Sequence, residues 1–447
     1  MSELQAANPS VREVFNTFGK IGLINFGGPA GQIALMHRVL VDEKRWIGED
    51  AYLRALNFCT LLPGPEAQQL AVYVGWRLKG LLGGVIAGTL FVLPGAAVVL
   101  ALSILYAYAA DLRPVNAAFL GVKAAVLAIV VEALIRVSKR ALKGWLKPLI
   151  AVAAFVALFL FDAPFPLVVL AAGVIGAVVG GWRPELLKLK ASTSEPPPRL
   201  SKRRALFDTV KTVLVCSALW AAPMLLIAVA LGADHVLFDI GAFFAKLAMV
   251  TFGGAYAVLA YMAQEAVNTH HWLQPGEMVD GLGLAETTPG PLILVTEFVG
   301  FLAAFRAPAP FYPLVAGVLG ALVTLWMTFV PCFMWIFAGA PFIERLEHAE
   351  RVQGALGAIT AAVVGVILNL ALWFALHSLF GELNPFRLGP IAFDLPRPAS
   401  LDWPALLLTA AAILAIFRFR LGPLPVLAGC AAAGILFHWL AGAPPGA

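Results

Sequence analysis

The sequence predicts an all-α polytopic membrane protein made of two inverted homologous repeats with broken helices, plus one connecting helix. At about 20 apolar residues per span, six spans in each repeat and the connector make about 13 crossings. Three observations lead there: continuous apolar blocks, an internal duplication, and a difference in loop charge between the two copies. The chain has 447 residues, 61% of them hydrophobic and 13% charged, with a mean hydropathy of +0.87. Soluble domains carry about 25% charged residues. The apolar residues run unbroken through stretches such as 81–110 and 149–161, and this continuity excludes the alternating pattern of a β-barrel. It also excludes a disordered or nucleic-acid-binding core. The pI of about 9.0 then reflects basic cytoplasmic loops rather than a nucleic-acid partner.

The duplication appears when the chain is shifted by 226 residues: 18–65 falls on 244–291 without a gap, with thirteen identities. Lys20 meets Lys246 and Trp46 meets Trp272. Phe26-Gly27-Gly28 meets Phe252-Gly253-Gly254, and Pro63-Gly64-Pro65 meets Pro289-Gly290-Pro291. The copies are placed at 12–181 and 236–440. Between them lies a basic, Pro196-Pro197-Pro198-containing loop at 182–206, expected in the cytoplasm, and then a connecting apolar helix at 207–231. The loop after the fourth span of the first copy holds Arg136, Lys139, Arg140, Lys143 and Lys147, with no acid. Its counterpart at 382–402 holds two basic and three acidic residues. The positive-inside rule puts the first inside and the second outside. The copies are therefore expected to be inverted, and the connecting helix supplies the odd crossing that inversion needs. The N-terminus shows no basic, apolar and small-residue succession of a cleaved signal peptide.

The candidate chemistry lies at the two recurring interruptions. Pro-Gly-Pro ends one helix and begins another, leaving backbone N–H groups unpaired at the new helix start. In hydrocarbon such breaks persist only where they are buried in protein or line a cavity. The N-terminal end of a half-helix carries about half a positive charge and favours anions. In inverted-repeat transporters the broken helices form the substrate site. The expected substrate-binding set is Lys20, Asn25, Gly27, Gly28, Pro63, Gly64, Pro65 and Glu66, with Lys246, Thr251, Gly253, Gly254, Thr287, Thr288, Pro289, Gly290 and Pro291 from the second copy. Lys20 and Lys246 are the full charge that both copies keep in register, and they read as either anion ligands or snorkelling side chains. Asn25, Thr251, Thr287 and Thr288 suit either oxyanion oxygens or freed carbonyls. Glu66, Glu286 and Glu297 are candidates for a coupling proton or for helix capping. Gln68 and Gln69 follow Glu66 and have no polar counterpart in the second copy. Lys123 and Glu132, in the fourth span, read as a structural charge contact or as part of the transport path. His270-His271 lacks a third metal ligand at workable spacing, the four cysteines form no metal or redox motif, and no nucleotide fingerprint is present. No metal and no cofactor is expected, and no catalytic set indicates an enzyme.

The segments FGKIGLINFGGPAGQIALM and LLPGPEAQQLAVYVGWRLKGLLGG, together with FAKLAMVTFGGAYAVLAYM and GLGLAETTPGPLILVTEFVGF, resemble the two domains of the chromate ion transporter family. The resemblance covers nearly the whole chain and rests on the paired FGG and PGP motifs. It implies a multi-pass inner-membrane exporter of chromate that confers chromate resistance, with two oppositely oriented domains. Sulfate or another small anion is the alternative substrate, because sulfate shares the tetrahedral dianion shape. The implied partners are the oxyanion, the lipid bilayer and, in a homodimer, a second copy of the chain. The motif departs in one respect: Leu61-Leu62 precedes the first Pro-Gly-Pro where Thr287-Thr288 precedes the second.

Overall fold

The computed structural model describes residues 8–26, 28–110, 112–187, 202–251, 255–340 and 349–441. Gly27, Gly253, Gly254 and Pro196-Pro197-Pro198, singled out above, lie outside the described residues. The helices are α1 (Val11–Leu23), α2 (Gly28–His37), α3 (Glu49–Cys59), α4 (Glu66–Ala109), α5 (Arg113–Ala141), α6 (Leu146–Phe161), α7 (Phe165–Trp182) and α8 (Lys202–Ala230). They continue with α9 (Val236–Val250), α10 (Ala255–Gln264), α11 (Pro275–Thr287), α12 (Val295–Arg306), α13 (Pro313–Gly339), α14 (Glu350–Leu379), α15 (Trp403–Phe417) and α16 (Pro423–Ala441). Among the described residues six helices are long and apolar enough to cross a membrane: α4, α5, α7, α8 (through Thr209–Ala230), α13 and α14. The chain is a multi-pass helical membrane protein.

Local conformation recurs at the 226-residue shift. A π-helical stretch at Arg38–Glu43 has a counterpart at Glu265–Thr269. Each is followed by a left-handed residue, Arg45 (φ 54°) and His271 (φ 52°). The next N–H, of Trp46 and Trp272, then donates to Leu40 and Ala266 carbonyls, both at 2.8 Å.

The chain forms two compact units, each drawing on segments from before and after the basic loop. Unit 1 comprises Met1–Leu100, Lys190–Ala255 and Thr288–Gln353. In it α13 packs against α8, α9 and α12. Gly300 of α12 and Gly320 of α13 abut, so a Cβ on Gly320 would meet the Gly300 carbonyl. Two indoles tie α8 to α13: Trp220 Nε1 donates to the Met327 carbonyl and Trp326 Nε1 to the Leu219 carbonyl, both at 3.1 Å. The opposite face of α8, with Leu214, Leu225, Leu226 and Val229, is exposed, as lipid contact requires. Helix α4 is interrupted at Lys79 and Gly80. Its two arms fold back to back, because a Cβ at Gly75 or Gly83 would strike the carbonyl of the other.

Unit 2 comprises Ala101–Leu189, Tyr256–Thr287 and Gly354–Ala447. Here α5 packs against α15 and α16. Gly121 admits the Cys430 backbone, and Gly434 admits the Ala117 carbonyl. The loop at 382–402 departs from the all-α expectation: it contains a two-stranded antiparallel hairpin, β1 (Leu383–Leu388) and β2 (Ile391–Pro396). Gly389 (φ 59°) and Pro390 make the two-residue reversal. Phe386 pairs with Phe393 across the hairpin, and Phe393 rests on Phe159 of α6 with ring centroids 5.6 Å apart.

Candidate substrate site at the broken helices

Both interruptions are real breaks in the helices. Helix α1 stops at Leu23 and α2 begins at Gly28; α9 stops at Val250 and α10 begins at Ala255. Each pair leaves terminal carbonyls without an intrahelical donor. The Pro-Gly-Pro motifs answer that need across the copies. Gly64 N–H donates to the Thr251 carbonyl at 2.8 Å, and Gly290 N–H donates to the Asn25 carbonyl at 2.8 Å. The donors differ by the same 226 residues as the acceptors, so the two bonds are equivalent contacts. Gly64 (φ 121°) and Gly290 (φ 101°) hold conformations that L side chains rarely adopt. Packing is equally restrictive. A Cβ on Gly64 would stand 2.7 Å from Cys332 Sγ and 2.9 Å from Gln69 Nε2. At Gly95 of α4, a Cβ would strike the Pro289 carbonyl. All of these groups belong to unit 1.

Around these breaks unit 1 buries carboxamides. Gln69 Nε2 donates to the Pro63 carbonyl at 2.7 Å, and Gln32 Nε2 to the Gly290 carbonyl at 2.5 Å. One carboxamide thus braces each Pro-Gly-Pro, and both come from the first copy. At the shifted positions the second copy has Val258 and Val295, so the site is asymmetric. Asn25 and Gln68 are fully buried, and neither side chain makes a hydrogen bond among the described residues. The same holds for Gln32 Oε1, Gln69 Oε1, Glu297 Oε2 and the hydroxyls of Thr324 and Thr328. An unsatisfied buried polar group costs about 1–3 kcal/mol. Unsatisfied groups in or directly after a break, as Asn25 and Gln68 are, are unfavourable for folding alone and fit a site where a polar ligand binds. Carboxamide NH₂ groups are neutral double donors that reach oxyanion oxygens without a buried cation.

The structure sorts the sequence candidates. Asn25, Pro63, Gly64, Pro65, Thr288, Pro289, Gly290 and Pro291 are buried in unit 1; Gly28 and Glu66 are half-buried. Lys20 and Lys246 are exposed. They lie on the outward faces of α1 and α9 because the inward faces are taken by Phe18 and Ile21, and by Phe244 and Leu247. Of the two readings for the threonines, the freed carbonyl applies to two. Thr251 Oγ1 donates to Leu247 O at 2.6 Å and Thr287 Oγ1 to Leu284 O at 2.8 Å, so both hydroxyl protons are spent on their own helices. Glu297, in the first turn of α12, is buried in unit 1, whereas Glu286 is half-buried at the end of α11 in unit 2. Glu132 pairs with Arg136 at 2.8 Å, one turn on along α5. Gln32, Thr324 and Thr328 were not singled out from sequence. Only a polar residue in an apolar stretch marked them, and that signal is weak for a lone Gln or Thr.

Broken helices bonded to one another inside a multi-pass helical chain are an arrangement found in membrane transporters. Residues 12–177 and 238–435 match the chromate transporter family, and the chain belongs to that family. It is 35% identical over 364 residues to the chromate transport protein of Pseudomonas aeruginosa, covering 80% of this chain and 79% of that one. It is 28% identical over 439 residues to the chromate transport protein of Cupriavidus metallidurans, covering 96% and 94%. An uncharacterized transporter of Methanocaldococcus jannaschii is 25% identical over 369 residues, 83% of this chain and 85% of its own. No solved structure matches the chain.

Proposed function

We propose that the chain is a secondary transporter that exports chromate across the bacterial inner membrane and so confers chromate resistance. The observation that carries this reading is the pair of buried carboxamides without a partner among the described residues, Asn25 and Gln68, at helix breaks that are bonded in two pairs across the copies. Family membership supports chromate as the substrate. Membrane energetics favours export. Moving one charge across 100 mV is worth about 2.3 kcal/mol, so a dianion leaving an inside-negative cell gains about twice that. Glu297 is the acid best suited to a coupling proton. It occupies the first turn of α12, where an ionised carboxylate competes with the oxyanion for the same positive helix end. Unit charges 4 Å apart repel by about 4 kcal/mol at an effective dielectric of 20, and a proton on the carboxyl removes that repulsion.

Sulfate is the second reading, because neutral N–H donors discriminate poorly between tetrahedral dianions of one charge. Radiolabelled chromate uptake into everted vesicles tests both. Uptake that excess sulfate leaves unchanged and an imposed potential accelerates supports a selective chromate exporter. Full competition by sulfate supports a general dianion carrier. Uptake equal to that of empty-vector vesicles refutes chromate transport.

A further inference from the structure

Unit 2 holds an ion cluster that the reading above does not use. Along α11, Gly276, Asp280 and Gly283 share one face at helical spacing. That face meets α5. A Cβ on Gly283 would strike Val122, and one on Gly276 would stand 3.0 Å from Lys123 Nζ. The two glycines let the helices close together, with Asp280 between them opposite Lys123. Asp280 is only 4% exposed. Its Oδ2 accepts from the Tyr106 hydroxyl at 2.9 Å, and Tyr106 is held edge-on by Phe119, ring centroids 5.2 Å apart. Its Oδ1 stands 3.5 Å from Lys123 Nζ, an ion pair without a hydrogen bond. The only other charged group acting on Asp280 from its own helix is Glu277. Helix α16, which also packs against α11, contributes Cys430 as its titratable group among the described side chains.

A buried carboxylate and a half-buried ammonium each need a counter-charge. This pair has two arrangements in which Lys123 faces a counter-charge. In the first, seen here, that counter-charge is Asp280. In the second, Asp280 carries a proton and an external anion faces Lys123. Passing from the first to the second takes up one proton with the anion; for a dianion the proton lowers the net charge of the occupied site from two negative to one. The proton comes from the aqueous phase and forms the O–H bond on Asp280, and no other covalent bond changes. Lys123 is the member open to an incoming ion, since its side chain is 25% exposed against 6% for Asp280.

We propose that Tyr106, Lys123 and Asp280 form a proton-linked anion site, in which a small oxyanion takes over Lys123 as a proton settles on Asp280. The identity of the anion rests on the transport reading above; the linkage rests on the cluster itself. The test is equilibrium binding of radiolabelled sulfate, which stays a dianion throughout, to the full-length protein in detergent at a series of pH values. One linked proton tightens binding about tenfold for each unit of falling pH. Asp280→Asn is expected to take up one proton fewer per sulfate than the wild type. Lys123→Met is expected to lose both affinity and that proton. Because the single Lys123 change leaves a buried carboxylate unbalanced, Lys123→Met/Asp280→Asn serves as the charge-neutral variant, expected to fold and to lack the linkage. An Asp280→Asn protein with the wild-type pH slope overturns the proposal, as does pH-independent binding by the wild type. Binding of neither sulfate nor chromate at any pH overturns the oxyanion reading as well, which distinguishes the two failures.

Discussion

Replacing Gly64 by alanine tests whether the break bonded to the opposite copy sustains transport. The backbone there sits at φ 121°, where a non-glycine residue costs about 1–3 kcal/mol. The added Cβ would also stand 2.7 Å from Cys332 Sγ and 2.9 Å from Gln69 Nε2. Neither neighbour yields freely: Cys332 is buried, and Gln69 Nε2 is bonded to the Pro63 carbonyl at 2.7 Å. Overpacking of this kind adds about 1–3 kcal/mol, giving about 2–6 kcal/mol in all. Even the lower figure, if it falls on the transport-competent conformation, lowers flux roughly 30-fold. The assay is radiolabelled chromate uptake into everted vesicles, normalised to protein level, with thermal stability in detergent measured alongside. Gly48→Ala, where a Cβ would meet nothing within 4 Å, is the matched control and should transport normally. Cys332→Ala combined with Gly64→Ala should recover the packing part of the loss, because contacting residues couple. Full flux in Gly64→Ala, or no recovery in the double variant, would refute the reasoning.

Asn25→Leu and Gln68→Leu should each abolish chromate uptake while raising thermal stability, since each removes polar groups that cost about 1–3 kcal/mol unsatisfied; lowered stability with normal uptake would make them structural. Glu297→Gln should leave chromate binding intact and lower the pH dependence of chromate flux by one proton, leaving the part carried by Asp280; an unchanged pH profile of flux would assign the coupling elsewhere. Lys20→Met and Lys246→Met, on exposed helix faces, should change the KM for chromate less than threefold; a rise of tenfold or more would bring these lysines into the path. Single cysteines at Arg140 and Arg387 should be labelled from opposite sides of the membrane, and labelling from one side would exclude inversion.

Much of the fold is legible because hydropathy and glycine-proline punctuation act locally. The blocks behind α4, α5, α8, α13 and α14 follow from the cost of exposing apolar surface, and the breaks before Gly28 and at 63–65 follow from the positive φ open to Gly28 and Gly64 and from the missing N–H of Pro63 and Pro65. What those breaks bond to is not local. The Gly64–Thr251 and Gly290–Asn25 contacts are visible only once the chain is folded, although the shared shift marks Gly64 with Gly290 and Asn25 with Thr251 as equivalent positions. Side-chain direction was the least legible. Lys20 and Lys246 are in register, but register says nothing about which face of α1 or α9 looks inward. Thr251 and Thr287 look like donors until their helix carbonyls capture the hydroxyls. The 383–396 hairpin escaped because a Gly-Pro reversal between two short segments, each holding a proline, resembles any turn. Asp280 escaped because its significance comes from Lys123 and Tyr106, more than 150 residues away in sequence.

The central claim is that an oxyanion binds among the buried carboxamides at the broken helices. A crystal soaked in chromate, with chromium located by its anomalous scattering, tests this most directly. The account predicts a peak within hydrogen-bond reach of the Asn25 or Gln68 side chain, removed by Asn25→Leu together with Gln68→Leu. Chromium found only beside exposed lysines such as Lys20 and Lys246, with the carboxamides unoccupied, would contradict it.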